Sequence, residues 1–234
     1  MNIAGIQKTT LVDFPGMVAA TVFTRGCTFS CHFCHNPELV LPEQFNPLIP
    51  EKDFFDFLES RLGKIAGVCI TGGEPTINPD LPAFISHIKA LGFKVKLDTN
   101  GSNSRMLEHI IKDGDVDYIA MDVKSPAAKY AEITNPKSQT LNKSQISNVK
   151  SSIKLIMRSK ILYEFRTTVA KPLHSVEDME DIGKMIDGAE KYFIQNYEKS
   201  KQINEGMELE PFSRKELGKM AKIIEKYVKN VEVR

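Results

Sequence analysis

Short apolar runs take turns with segments of helical periodicity along nearly all of this 234-residue chain. The apolar runs fall at residues 17–25, 67–71, 94–98, 118–122, 162–169 and 192–195, and the periodic segments at 51–62, 81–91, 104–112, 144–158 and 175–186. Strands separated by helices cannot meet through tight hairpins, so they pair in parallel through right-handed crossovers. Six strand-and-helix units of this kind predict an α/β fold, a partial (β/α)6 barrel. A doubly wound open sheet would satisfy the same alternation, but its glycine-rich dinucleotide fingerprint is missing after the first strand. Either architecture gathers chemistry at the C-terminal ends of its strands. An amphipathic segment at 214–228 and a short apolar tail at 231–233 complete the pattern. No internal repeat or linker-like tract interrupts it, so residues 1–234 are expected to form a single domain.

Composition closes off several function classes. Hydrophobic residues make up 41% of the chain, enough for a sizeable core. Lys plus Arg number 31 against 30 Asp plus Glu, so no net field gathers nucleic acid or anionic lipid. The opening stretch MNIAGIQKTTLVDFPG shows no basic, apolar and small-residue leader pattern, and no apolar run approaches a membrane span. A cytoplasmic protein is expected, with neither nucleic acid nor membrane as partner.

Three of the four cysteines, Cys27, Cys31 and Cys34, lie within eight residues, a clustering that suits ligation better than a disulfide framework. The fourth, Cys69, sits in an apolar run and reads as a small core residue. The loop TRGCTFSCHFCHNPELV follows the first apolar run, and its three thiolates can wrap one iron-sulfur cubane. A cubane has four irons, so three thiolates leave one iron open to a cofactor or substrate. The competing occupant is zinc, with His32 or His35 completing a Cys3His tetrahedron. At the end of the next run, CITGGEPTINP, Gly72 and Gly73 free the backbone for a close approach, and Glu74 brings a carboxylate suited to an ammonium group. The runs KLDTNG and IAMDVKSP then place Asp98, Thr99, Asn100, Asp122 and Lys124 at the same presumed rim.

The Cys-x-x-x-Cys-x-aromatic-Cys loop, with Phe33 as the aromatic, resembles the signature of the radical S-adenosylmethionine (radical SAM) superfamily, and Gly72 to Pro75 match its Gly-Gly-Glu-Pro motif one by one. The resemblance implies a partial barrel of the radical SAM type. It also implies a 4Fe-4S cluster on Cys27, Cys31 and Cys34, whose open iron is chelated by the methionyl group of S-adenosylmethionine. Phe33 would then contact the adenine side, and Gly72, Gly73 and Glu74 the methionyl amino group. The Asp-Thr-Asn-Gly and Asp-hydrophobic-Lys segments resemble those of glycyl radical enzyme activases. By that likeness Asp98 faces the ribose or a monovalent cation, Asp122 orients Lys124 or shares the cation, and Lys124 neutralises a carboxylate. Arg166 matches a further cofactor position. Related formate-lyase activators carry a histidine in the sixth strand where this chain has Gln195-Asn196-Tyr197-Glu198, so Gln195 or Asn196 is expected at the adenosine.

The opening GIQKTTLVDFPGMVAATVFTRGC and the run CHFCHNPELV, with Asp13, Pro15, Gly16, His35 and Asn36, are similar to the activating proteins of anaerobic ribonucleoside-triphosphate reductase. The implied partners are that glycyl radical enzyme and a flavodoxin or ferredoxin as electron donor. The implied reaction is reductive cleavage to methionine and a 5′-deoxyadenosyl radical, which takes a hydrogen from a partner glycine. The alternatives are activation of another glycyl radical enzyme such as pyruvate formate-lyase, a radical enzyme acting on a small molecule, or a metal-binding scaffold without catalysis. The polar stretch 125–147 carries no functional assignment.

Overall fold

The computed structural model describes residues 1–134 and 143–234. It contains one eight-stranded sheet in strictly sequential order. An edge strand, β1 (Ile3–Thr10), pairs antiparallel with β2 (Ala19–Thr24). The strands β3 (Gly67–Gly72), β4 (Lys94–Thr99), β5 (Tyr118–Asp122), β6 (Leu162–Val169), β7 (Lys191–Asn196) and β8 (Asn230–Val233) then follow in parallel. The helices are α1 (Glu51–Ser60), α2 (Leu81–Ala90), α3 (Ser104–Asp113), α4 (Tyr130–Thr134), α5 (Lys143–Arg158), α6 (Asp178–Met185) and α7 (Arg214–Ile224). Sequential parallel order keeps successive right-handed crossovers on one face of the sheet, which curls into an incomplete barrel with β1 and β8 as its edges.

The expected strands are the parallel β2 to β7, and four elements depart from expectation. β1 was unread because IAGIQKTT is an edge strand whose middle residues are only partly buried, leaving no apolar run. The tail at 231–233 is a true strand, β8, in register with β7 from Lys191↔Asn230 to Ile194↔Val233, and α7 ends at Ile224 rather than at 228. The short helix α4 lies in the stretch 125–147, of which residues 135–142 fall outside the described residues.

Strand pleating separates two chemistries. One register row reads Val22, Ile70, Leu97, Ile119 and Tyr163, all members of the main apolar core. That core continues into the helices, where Phe54 and Phe55 of α1 pack on Phe84 of α2 with ring centroids 5.2–5.3 Å apart. The neighbouring row, on the opposite face, reads Thr21, Cys69, Lys96 and Tyr118. The barrel interior is therefore largely polar.

Its floor is apolar and comes from the 13–16 turn. Phe14 is buried with Ala19, Tyr118 and Ala120 in a separate small cluster, and its ring centroid lies 6.3 Å from that of Tyr118. Asp13 fixes the turn by accepting a 2.6 Å hydrogen bond from the Thr21 hydroxyl. A Cβ on Gly67 would come within 2.9 Å of the Phe14 ring, so the first residue of β3 has to be small. Removing the plug leaves a cavity that the strands cannot collapse to fill. Phe14→Ala is expected to lose about 3–5 kcal/mol of unfolding free energy in urea titration.

Asp117 ties the α2–β4–β5 corner together: it accepts from Lys89 at 2.7 Å, Lys94 at 2.9 Å and the Val95 backbone N–H at 2.8 Å. Burial opposes its charge, but these donors hold its carboxyl below the usual range. The stabilisation is therefore complete above the ordinary carboxylate value near pH 4 and is lost as pH falls through the lower folded value. Asp117→Asn should flatten the acid limb of urea midpoint against pH, and an unchanged limb would assign that slope elsewhere.

Candidate active site

The cysteine loop leaves β2 at Thr24 and is locked to the end of β3 through the backbone. The Gly73 N–H donates to Thr24 O at 2.9 Å, and the Glu74 N–H to Gly26 O at 2.8 Å. A Cβ on Gly73 would lie 1.9 Å from Gly26 O, and one on Gly72, whose φ is +117°, 2.3 Å from Thr24 N. The close approach these glycines permit is thus first to the chain's own cysteine loop.

Glu74 corrects the expectation made for its side chain. It is fully buried and points away from the cavity. Its Oε1 accepts from the Thr76 N–H at 3.1 Å, from the Thr76 hydroxyl and from the Thr99 hydroxyl at 2.7 Å, while Oε2 accepts from the Asn100 N–H at 2.6 Å. Burial raises its pKa and these donors work against the rise. The carboxylate staples the β3 turn to the Asp98–Gly101 segment and is not presented to an ammonium group. Asn100, named in sequence only as a rim residue, then reaches back to the loop: its amide donates to the Thr28 hydroxyl at 3.1 Å and contacts Cys27 Sγ at 3.6 Å.

The far side of the loop is clamped by later segments. The Ser30 and His32 N–H groups donate to the Thr134 and Ile133 carbonyls of α4. Both ring nitrogens of His32 are engaged, Nε2 with Glu132 O at 3.0 Å and Nδ1 with the Asn204 amide at 2.9 Å. His32 is therefore unavailable as a zinc ligand. Among the described residues no three or more His, Cys, Asp or Glu side chains are gathered around one ion-sized point. Burial, with the neighbouring thiols and carboxylates, raises the pKa values of Cys27 and Cys34 and pushes that of Cys31 up to about 12. Iron must therefore displace protons as it binds.

Cys27, Cys31 and Cys34 line one cavity of about 220 Å³ together with Phe33, His35, Gly72, Gly73, Asp98, Asp122, Lys124 and Arg166. His35 and Thr168 also wall a neighbouring cavity of about 480 Å³ that contains Gln195. A still larger cavity of about 570 Å³, between residues 37–44 and 197–210, contains no cysteine and none of the charged strand-end residues. Of the expected site residues, the structure brings all but Glu74 and Gln195 to the central cavity, and Gln195 to its neighbour. His35 lies edge-on to Tyr197 at 6.0 Å, and burial lowers its pKa.

The charged residues form an alternating chain across β4, β6 and β5. Asp98 accepts from Lys96 through Oδ1 and from Arg166 at 3.1 Å through Oδ2. Asp122 accepts from Arg166 at 2.9 Å through Oδ1 and from Lys124 at 2.8 Å through Oδ2. Burial opposes the Asp122 charge, and Arg166 and Lys124 nevertheless hold its carboxyl well below the usual range. Behind Arg166, the buried Glu164 accepts from Tyr118 at 2.7 Å and faces Arg234 at 3.7 Å. Sequence reasoning missed Lys96, Glu164 and His174. The first two are visible only as charged residues inside strands, at positions that alternate with the apolar outer face. His174 accepts from the Ala170 N–H, donates to Lys124 O at 2.9 Å, and stands 5.9 Å from the Phe33 ring. It thereby fixes the ends of β5 and β6, but no motif marks it.

The donor set fits an iron-sulfur cluster with one open iron. Three thiols line one cavity without a fourth cysteine, and cationic and anionic groups line the same cavity. Comparison with known proteins agrees. Residues 21–187 match the family described as the Radical SAM superfamily. Over 99% of this chain and 95% of the relative, the sequence is 32% identical to a protein of Methanocaldococcus jannaschii named as a glycyl-radical enzyme activating enzyme. It is also 32% identical to the pyruvate formate-lyase-activating enzyme of Clostridium pasteurianum, across 53% of this chain and 52% of that one. Among solved structures, a radical SAM methyltransferase from Sphaerobacter thermophilus superimposes with a TM-score of 0.70 at 12% identity, over 94% of this chain and 67% of the other. Streptococcus suis SuiB bound to S-adenosylmethionine gives 0.63 at 16% identity, over 89% and 48%. At these identities both likenesses are of fold alone. The chain belongs to the radical SAM superfamily, within its glycyl-radical-enzyme activating enzymes. Its cofactors are accordingly a 4Fe-4S cluster and S-adenosylmethionine.

The Glu74 staple makes a specific prediction. A Gln there presents an NH2 group to one of the donors that the carboxylate now satisfies. Glu74→Gln should lose about 1–3 kcal/mol in urea unfolding. An unchanged stability would show that the turn and the Asp98–Gly101 segment hold together without it.

Proposed function

We propose that this enzyme installs a glycyl radical on anaerobic ribonucleoside-triphosphate reductase, taking its electron from a reduced flavodoxin or ferredoxin, with residues 1–234 acting as one catalytic unit. The carrying observation is the three-cysteine loop, locked to Gly73 and Glu74 at the mouth of a barrel whose strand ends bring charged residues to the same cavity. The likeness of the 5–27 segment, and its 13–16 turn in particular, to the activating proteins of that reductase supports the choice of target.

Cys27, Cys31 and Cys34 would hold the cluster. When bound, the cluster and S-adenosylmethionine supply one-electron cleavage and a radical able to take hydrogen from a carbon. The chain's own residues position and shield. The Gly72–Gly73 backbone borders the cavity where the methionyl amino group would lie, and Lys124, oriented by Asp122, supplies the positive charge for the methionyl carboxylate. Phe33 and His35 wall the adenosine side, and Gln195 with Thr168 stands where it would extend into the neighbouring cavity. Arg166 ties Asp98 to Asp122, so the strand ends that carry them cannot drift apart. No general acid or base is needed; holding the reactants close and excluding water are the protein's contributions.

A second reading, activation of pyruvate formate-lyase, is favoured by the match to the Clostridium pasteurianum enzyme over half of the chain. The reconstituted, dithionite-reduced enzyme should form 5′-deoxyadenosine from S-adenosylmethionine, and Cys31→Ala should abolish it. Incubation with either purified partner, followed by electron paramagnetic resonance, separates the two readings. A glycyl radical doublet on the reductase is expected; a doublet on the lyase alone would reassign the target. A protein that holds zinc and forms no 5′-deoxyadenosine would leave only a binding scaffold.

A further inference from the structure

Lys96 is a lysine inside a barrel. Its side chain is 2% exposed and it lies in the inward row between Cys69 and Tyr118. A buried ammonium is tolerated only when paired, and the carboxylate partner of Lys96 is Asp98, with Cys69 Sγ a further contact at 3.7 Å. By the family resemblance, Asp98 is expected at the ribose or a monovalent cation, and Asp122 is expected to orient Lys124 or share that cation. Their four carboxylate oxygens are each met by a cationic side chain: Lys96 and Arg166 on Asp98, Arg166 and Lys124 on Asp122. With Glu164 behind Arg166 and Arg234 facing Glu164, four built-in cations face three carboxylates, a balance that accommodates one further anion and leaves neither Asp98 nor Asp122 an unneutralised oxygen for a metal cation. The residues present do not fit the metal ion.

We infer that Lys96 takes the place of a monovalent metal cation in this enzyme: its ammonium neutralises and positions Asp98 from below, so that S-adenosylmethionine binds without sodium or potassium. Arg166 alone cannot do this, because it is shared with Asp122 and, at 4.0 Å, with Glu164. Lys96 is a positioning residue. It reaches the cavity only through Asp98 and is not itself part of the cavity wall.

The inference rests on the placement of S-adenosylmethionine in the central cavity and is independent of which partner is activated. The test is equilibrium dialysis of labelled S-adenosylmethionine with the reconstituted, unreduced holoenzyme in sodium, potassium or choline chloride at fixed ionic strength. Wild-type affinity should agree within about twofold across the three salts, and Lys96→Arg, which keeps the charge, should behave alike. Lys96→Met should bind about tenfold more weakly in choline chloride and recover in sodium or potassium chloride, a rescue that mere loss of structure would not produce. Wild-type binding that needs sodium or potassium overturns the inference while leaving the cofactor placement intact, and does so whether or not the methionine variant folds. Absence of wild-type binding in every salt overturns the placement and the inference with it.

Discussion

The backbone lock between Thr24–Gly26 and Gly73–Glu74 is the constraint on which the rest of the site depends. A loop with three thiols and little regular structure would otherwise wander at the mouth of the barrel. Two inter-segment N–H donors anchor its root, and the glycines let the two backbones approach to a distance that any side chain would prevent. Glu74 then carries the same order one strand further by gathering the donors of Thr76, Thr99 and Asn100, and Asn100 returns it to Cys27. The route runs β2, loop, β3, β4 and back to the loop, a closed circuit of hydrogen bonds around the place where a cluster would sit.

The circuit also explains how a polar interior is tolerated. The inner face holds Lys96, Asp98, Asp122, Glu164 and Arg166 at low exposure, each joined to an opposite charge. Unpaired, any of them would be costly to bury. Alternation of sign along the ion-pair chain from Lys96 to Lys124 makes the arrangement self-consistent, and the Phe14 plug closes it from below. Rigid strands rather than loops therefore present the charges at the mouth.

Much of this was legible in the sequence, for identifiable reasons. The six inner strands announce themselves because they are covered by helices on one face and read as apolar runs. The cysteine spacing and the Gly-Gly-Glu-Pro turn are legible because their chemistry tolerates few substitutions of residue type. What stayed hidden depended on direction and company. The side-chain orientation of Glu74 follows from donors that only the fold brings near it. Lys96 and Glu164 look like ordinary charged residues until strand register shows them facing inward. β1 and β8 are edges, half-wetted and short of apolar residues, so periodicity had little to report. His174 acts through two backbone groups, a role that any polar residue in a loop could hold.

The order of the sheet bears on how such a protein comes into being. Because each strand pairs with its neighbours in the chain, the sheet can be laid down in the direction of synthesis. The groups that anchor the root of the cysteine loop lie between Asn2 and Ser102, so that anchorage is complete once β4 and the turn after it have left the ribosome. The residues that bond it from the other side, Glu132 to Thr134 and Asn204, emerge afterwards. The cysteine loop and the glycine turn that roots it are thus the elder half, and the Asp122–Lys124–Arg166 charges are added to a loop already in place.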